Sequence, residues 1–118
     1  MARIVNGVFE KVGFEEDSSI LFYINTEQED YPMHWHTAME IIMPIENTYA
    51  VSMNKTAYSL KVGDILIIPP GELHALVAPS SGSRIVMLFD ASLLTNVKGF
   101  SGIFPVLMQP RIISRDNA

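Results

Sequence analysis

Short apolar runs separated by turn residues recur along this chain at intervals of about 8 to 12 residues, the spacing of an all-β sandwich or barrel. They predict strands over residues 20–24, 37–45, 48–53, 57–60, 64–68, 74–77 and 84–89, each rich in β-branched and aromatic side chains that suit a pleated surface. The breaks between them are readable as turns. Asn54-Lys55 has two-residue hairpin length, with Asn54 tolerating positive φ. Val62-Gly63-Asp64 reverses the chain ahead of an apolar strand, and Pro70-Gly71 has the Pro-then-Gly order of a type II turn. Beyond Phe89 the pattern changes: residues 91–97 read as a short helix. Phe100, Ile103, Phe104, Val106 and Leu107 form an apolar cluster, broken by Pro105 and Pro110, that is expected to pack on the barrel.

Two segments carry chemistry. If residues 34–40 are extended, alternation places His34, His36 and Glu40 on one face and Met39, Ile41, Met43 and Ile45 on the other. The apolar face predicts an interface between sheets. The polar face must find partners, because burying unpaired polar groups costs roughly 2 to 7 kcal/mol. The second segment runs Gly63-Asp-Ile-Leu-Ile-Ile-Pro69-Pro-Gly71-Glu-Leu-His74, a strand between two tight turns with a histidine opening the next strand. A barrel can return His74 to face His34 and His36. Three imidazoles and one carboxylate then suit either a divalent ion with open positions for water or substrate, or direct hydrogen bonding to a small molecule.

Composition narrows the chemistry. At 118 residues the chain suits one domain with one core. Its hydrophobic fraction of 48% and charged fraction of 18% are those of an ordinary globular chain. A net charge of −5 and scattered Lys and Arg offer no surface to a phosphate backbone. With no cysteine, disulfides and thiolate metal sites are excluded, and any metal must use His, carboxylate or backbone ligands. Neither a signal peptide nor a membrane span is visible in the sequence, which predicts a cytoplasmic protein. The closing RIISRDNA shows no helix stop and no closing strand, so the chain reads as the front of a longer one.

The two segments resemble the paired motifs of the cupin superfamily. The first is HxH followed by Glu, here His34, His36 and Glu40. The second is Gly, five residues, Pro-x-Gly, two residues and His, matched without a gap from Gly63 to His74. Gln28 and Asn47 stand where that pattern has glycine, and Ala78 where it has asparagine; none of these removes a ligand. The resemblance implies a cupin double-stranded β-helix, a jelly-roll barrel with a short helical or irregular C-terminal segment. Residues 1–17 would be an arm or first strand, 18–90 the barrel core, and 91–118 a packing segment. It also implies that His34, His36, Glu40 and His74 line the pocket and hold one divalent metal, Zn, Ni, Fe or Mn.

A narrower likeness, through HWHTAMEIIMPIENTYAVSMN, LKVGDILIIPPGELHAL and LFDASLL, is to the sensor half of AraC-type transcription regulators. It implies a homodimeric, non-catalytic module that binds a small polar effector, sugar-like or a related metabolite. DNA would be reached only through a helix-turn-helix domain absent from this chain. The rival is a stand-alone metal-dependent cupin enzyme, an oxygenase, isomerase or hydrolase. Such chemistry wants an acid or base beside the metal, and near the two motifs the sequence offers only generic tyrosines, Tyr23, Tyr31, Tyr49 and Tyr58. Trp35, out of phase with the histidines, is expected to pack away from the pocket. Asp64 and Glu72 read as turn residues, and the seven methionines as adaptable core filler.

Overall fold

The computed structural model describes residues 4–6, 9–12, 14, 20–28, 30–53, 55–79, 81–90, 92, 98–99, 102, 105 and 108–117. Within them the strands are β1 (Ile4–Asn6), β2 (Phe9–Lys11), β3 (Ile20–Asn25), β4 (Tyr31–His34), β5 (Met39–Glu46) and β6 (Tyr49–Met53). They continue as β7 (Thr56–Leu60), β8 (Ile65–Ile68), β9 (His74–Val77), β10 (Ser83–Phe89) and β11 (Arg111–Ile113), with a 3-10 turn at Arg115–Asn117. All seven predicted strands are present. The chain is an all-β jelly roll of two antiparallel sheets, ordered β11-β8-β5-β10-β3 and β4-β9-β6-β7, with β1 and β2 forming a separate ribbon.

Alternation sets the core between the sheets. Ile42, Leu66, Ile68, Val86 and Leu88 face inward from the five-stranded sheet, and Tyr31, Tyr49, Val51, Met53, Leu60 and Leu76 from the four-stranded one. Register then sorts the inward polar residues to opposite ends. Across the larger sheet one row runs Ile68, Glu40, Leu88, Leu21, and another pairs Arg84 with Asn25. Across the smaller sheet His34 pairs His74, which pairs Met53. Arg84 and Leu88 stand four positions apart on β10, about 13 Å along the strand.

Several expectations are corrected. Residues 34–40 are not one strand: β4 ends at His34, the chain bends at residues 37–38, and β5 begins at Met39 in the other sheet. The Met39, Ile41, Met43 face is the outside of the five-stranded sheet, where Met39 packs with Ile67, Phe89 and Met108. The inter-sheet core lies on the Glu40 side instead. A closing strand does exist, because Arg111–Ile113 pairs with β8. The positive φ of the β6–β7 turn is found at Lys55, at 63°, while Asn54 lies outside the described residues. Asn47, at φ 66°, adopts the left-handed conformation in place of the motif glycine. The expected helix over 91–97 and the cluster of Phe100, Ile103, Phe104, Val106 and Leu107 fall, apart from Ser92, outside the described residues. Among the described residues no helix is long and apolar enough to cross a membrane.

Candidate metal centre

The chain brings the four motif residues together by crossing between sheets. His34 comes from β4, His74 from the neighbouring β9, and Glu40 from β5 on the facing sheet; His36 sits in the connection. The turn at Pro70-Gly71 braces that connection. Gly71 takes φ 80°, where a side chain would be strained, and its N–H donates to the His36 carbonyl at 2.8 Å. His34, His36, Glu40 and His74 are all 1% exposed or less.

Each imidazole is oriented in the same way. The Nδ1 of His34 donates to the Pro32 carbonyl at 2.7 Å, that of His36 to the Ala38 carbonyl at 2.9 Å, and that of His74 to the Glu72 carbonyl at 2.8 Å. A carbonyl oxygen only accepts, so Nδ1 carries the proton in all three rings. In the neutral ring the inward Nε2 is then a bare lone pair, the tautomer that a metal ligand requires.

A fifth group completes the cluster. Glu10 of β2 is 1% exposed, and its Oε1 lies 3.3 Å from His34 Nε2 and 3.8 Å from His36 Nε2. Glu40 Oε1 lies 2.8 Å from His36 Nε2 and 3.5 Å from His74 Nε2. The buried Nε2 of His74 makes no hydrogen bond. Sequence reading missed Glu10, because nothing in the local pattern Phe9-Glu10-Lys11 marks an inward carboxylate. Its placement comes from a distant pairing: Glu10 N–H donates to the Trp35 carbonyl at 2.8 Å, and Phe9 bridges Trp35. Trp35 itself is half-buried against the Phe9 ring, with centroids 4.8 Å apart, so it packs away from the pocket as expected.

The residues fit a divalent cation. Three imidazole nitrogens lie within 4.8 Å of one another. Neighbouring ligand atoms on an ion with bonds of about 2.1 Å stand about 3 to 3.4 Å apart; the carboxylate–imidazole separations of 2.8, 3.3 and 3.5 Å are of this size, while the imidazole nitrogens would draw closer together around an ion. Three neutral imidazoles and two carboxylates would also balance a 2+ ion in charge. The Tyr31 ring stands beside that of His34, with centroids 6.3 Å apart, but its hydroxyl donates to Glu27 at 2.5 Å; the Tyr49 ring lies beneath Arg84, and Tyr23 and Tyr58 pack against the core. Asp64 is the turn residue expected. Its carboxylate accepts the N–H groups of Lys61 and Arg115 at 2.9 and 3.1 Å, which hold its pKa below the usual 3.8.

Fold and site together define a jelly-roll barrel with a polar, histidine-lined interior. Residues 20–89 match the cupin domain model, more than half of the chain, and the protein belongs to the cupin family. Solved structures agree on the fold. A cupin-2 domain protein of Shewanella frigidimarina is 19% identical, with a TM-score of 0.54 over 62% of this chain and 72% of that one. DMSP lyase DddQ of Ruegeria pomeroyi is 25% identical, with a TM-score of 0.53 over 65% of this chain and 41% of that one. ToxT K231A of Vibrio cholerae, in its apo form, is 11% identical, with a TM-score of 0.56 over 74% of this chain and 36% of that one. A search of curated proteins found no sequence match.

Proposed function

We propose that this chain is a metal-centred binding module. His34, His36, His74 and Glu40 hold one divalent ion, and the ion offers a small polar, oxygen-bearing effector a position in the pocket. In keeping with the resemblance to AraC-type sensors, occupancy would be passed to a DNA-binding domain elsewhere in a longer, dimeric protein. One observation carries the metal: all three Nδ1–H groups are tied to backbone carbonyls, which turns the three Nε2 atoms into the pocket toward the Glu10 and Glu40 carboxylates. A divalent ion held between them would satisfy these nitrogens and oxygens together.

Elemental analysis of the purified chain tests the reading. One equivalent of a divalent metal is expected in the wild type and none in His34→Ala/His36→Ala. Equal metal in both would overturn it. The enzyme reading gains one specific support, since Glu10 supplies the acid or base beside the histidines that the sequence did not reveal. Turnover of a bound small molecule that is lost in Glu10→Gln while metal content is kept would favour the enzyme over the sensor.

A further inference from the structure

An antiparallel sheet that walls one side of a core ordinarily turns polar side chains to water on its outer face. The five-stranded sheet does not. Leu21 and Tyr23 of β3 pack on the core, so alternation sends Ile20, Phe22 and Ile24 outward. The register extends each of them into an apolar row. Phe22 stands beside Met87, which stands beside Ile41 and then Ile67. Ile24 continues into Ile85 and Met43, and Ile20 into Phe89 and Met39. No charged side chain interrupts these three rows. The chain itself covers one part of the face, where Met108 packs with Met39, Ile67 and Phe89, all of them buried. On the β3 side the same rows end in water, with Ile20 52% exposed and Phe22 and Ile24 each 62%.

We propose that this face, centred on Phe22, is the interface through which two copies of the chain form a two-fold dimer. The inference rests on the dimeric part of the reading above, to which it gives a surface, and is independent of the metal. A second copy fits for three reasons. The first is charge. Each chain carries −5, so two copies repel where their acidic surfaces meet, and a patch without charge is where they can close. The second is symmetry. A two-fold interface sets one patch against itself, and Phe22 flanked by Ile20 and Ile24 reads the same in either direction along β3. The rows of one copy then lie between those of the other, as the facing sides of two packed sheets do at about 10 Å. The third is size. Ile85, Met87, Ile41 and Met43 are half-buried, so the open part spans β3, β10 and β5. Three strands make about 14 Å across, and the rows run about 14 Å along β3. That tile fills the centre of a standard interface, about 800 Å² per partner, and leaves the rim to polar neighbours.

Analytical ultracentrifugation of the full chain tests the interface. The wild type is expected to sediment as a dimer at about 50 µM. Raising salt should tighten that dimer, because screening relieves the repulsion of the two net charges and leaves apolar contact intact. Phe22→Glu and Ile24→Glu, both at exposed positions, should keep the wild-type circular dichroism yet weaken the dimer at least about thirtyfold. Val77→Glu is the control. It puts the same charge on the exposed outer face of the other sheet and should leave the dimer within about threefold of the wild type. A wild type that stays monomeric at that concentration overturns the proposal and leaves a further stretch of the same chain as the cover of the face. A dimer unchanged in Phe22→Glu and Ile24→Glu, or lost equally in Val77→Glu, overturns it as well, as does a dimer that salt dissociates. None of these outcomes bears on metal content, so the metal reading stands or falls on its own elemental analysis.

Discussion

Among the described residues the barrel buries a polar cluster at each end, and the two are built on different principles. At one end Arg84, 2% exposed, donates to Asn25 Oδ1 at 2.9 Å and to the Glu27 carbonyl at 3.0 Å, with the Tyr49 ring 4.3 Å beneath its guanidinium. Asn25 Oδ1 also accepts the Glu27 N–H, and the Tyr31 hydroxyl donates to the Glu27 carboxylate. Donors and acceptors there answer each other within the chain. At the other end three imidazole Nε2 atoms and two carboxylates converge on one point of the pocket. A cluster whose charge is met by its own neighbours is structural, whereas one that gathers three imidazoles and two carboxylates suits a guest that brings positive charge.

The largest effect should come from breaking the balanced end. Arg84→Ala removes the guanidinium donor from Asn25 Oδ1 and from the part-buried Glu27 carbonyl and opens a cavity, so urea unfolding should show a loss of about 3 to 5 kcal/mol with or without metal. A loss under about 1 kcal/mol would remove the contrast between the two ends. At the other end stability should depend on metal. Zn²⁺ at about a hundred times its Kd should stabilise the wild type by about 2.7 kcal/mol, and His34→Ala/His36→Ala not at all. Equal stabilisation of both would place the ion elsewhere.

Glu40→Gln sharpens the comparison further. Removing one of two facing carboxylates should leave the metal-free chain as stable as the wild type, or up to about 1 kcal/mol more stable, while Zn²⁺ affinity falls at least tenfold. Thermal unfolding with and without Zn²⁺ checks both halves. A large loss of metal-free stability would mean that Glu40, like Arg84, is a structural group.

The smallest effect concerns Asp64, which ties the turn before β8 to the N–H of Arg115. Its pKa is held below the usual 3.8 in the folded chain, chiefly by the Lys61 N–H and then by that of Arg115. The unfolded state therefore binds the proton first, so the contribution of Asp64 is present above the ordinary value and is lost as pH falls through the folded one. The stability gap between wild type and Asp64→Asn should close over that acid window and stay level above it. A gap that widened on acidification would contradict the assignment.

Much of this was legible in the sequence, for local reasons. Strands such as β5 and β10 declare themselves by alternation. Gly63 to His74 carries two turns whose residue types dictate their geometry, which locates His74 at the head of β9. What escaped was held by distant partners. β4 contains Pro32 and follows an acidic stretch, so it reads as loop until β9 pairs with it. β11 is three residues long and is a strand only because β8 lies beside it. Arg84 reads as the exposed start of a strand, yet the bulge between Ser83 and Arg84 and the acceptors of residues 25–27 draw it inside. Glu10 is the same case at the site. Its direction is set by a bridge to Trp35, 25 positions away, which no local pattern records.

The chain holds only three histidines, so one spectrum can follow every imidazole at the centre. Long-range ¹H–¹⁵N NMR of metal-free protein titrated with Zn²⁺ should show Nδ1-protonated rings, with all three Nε2 resonances shifting together and stopping at one equivalent. Nε2-protonated rings, or Nε2 signals that stay in place at saturating Zn²⁺, would contradict the account.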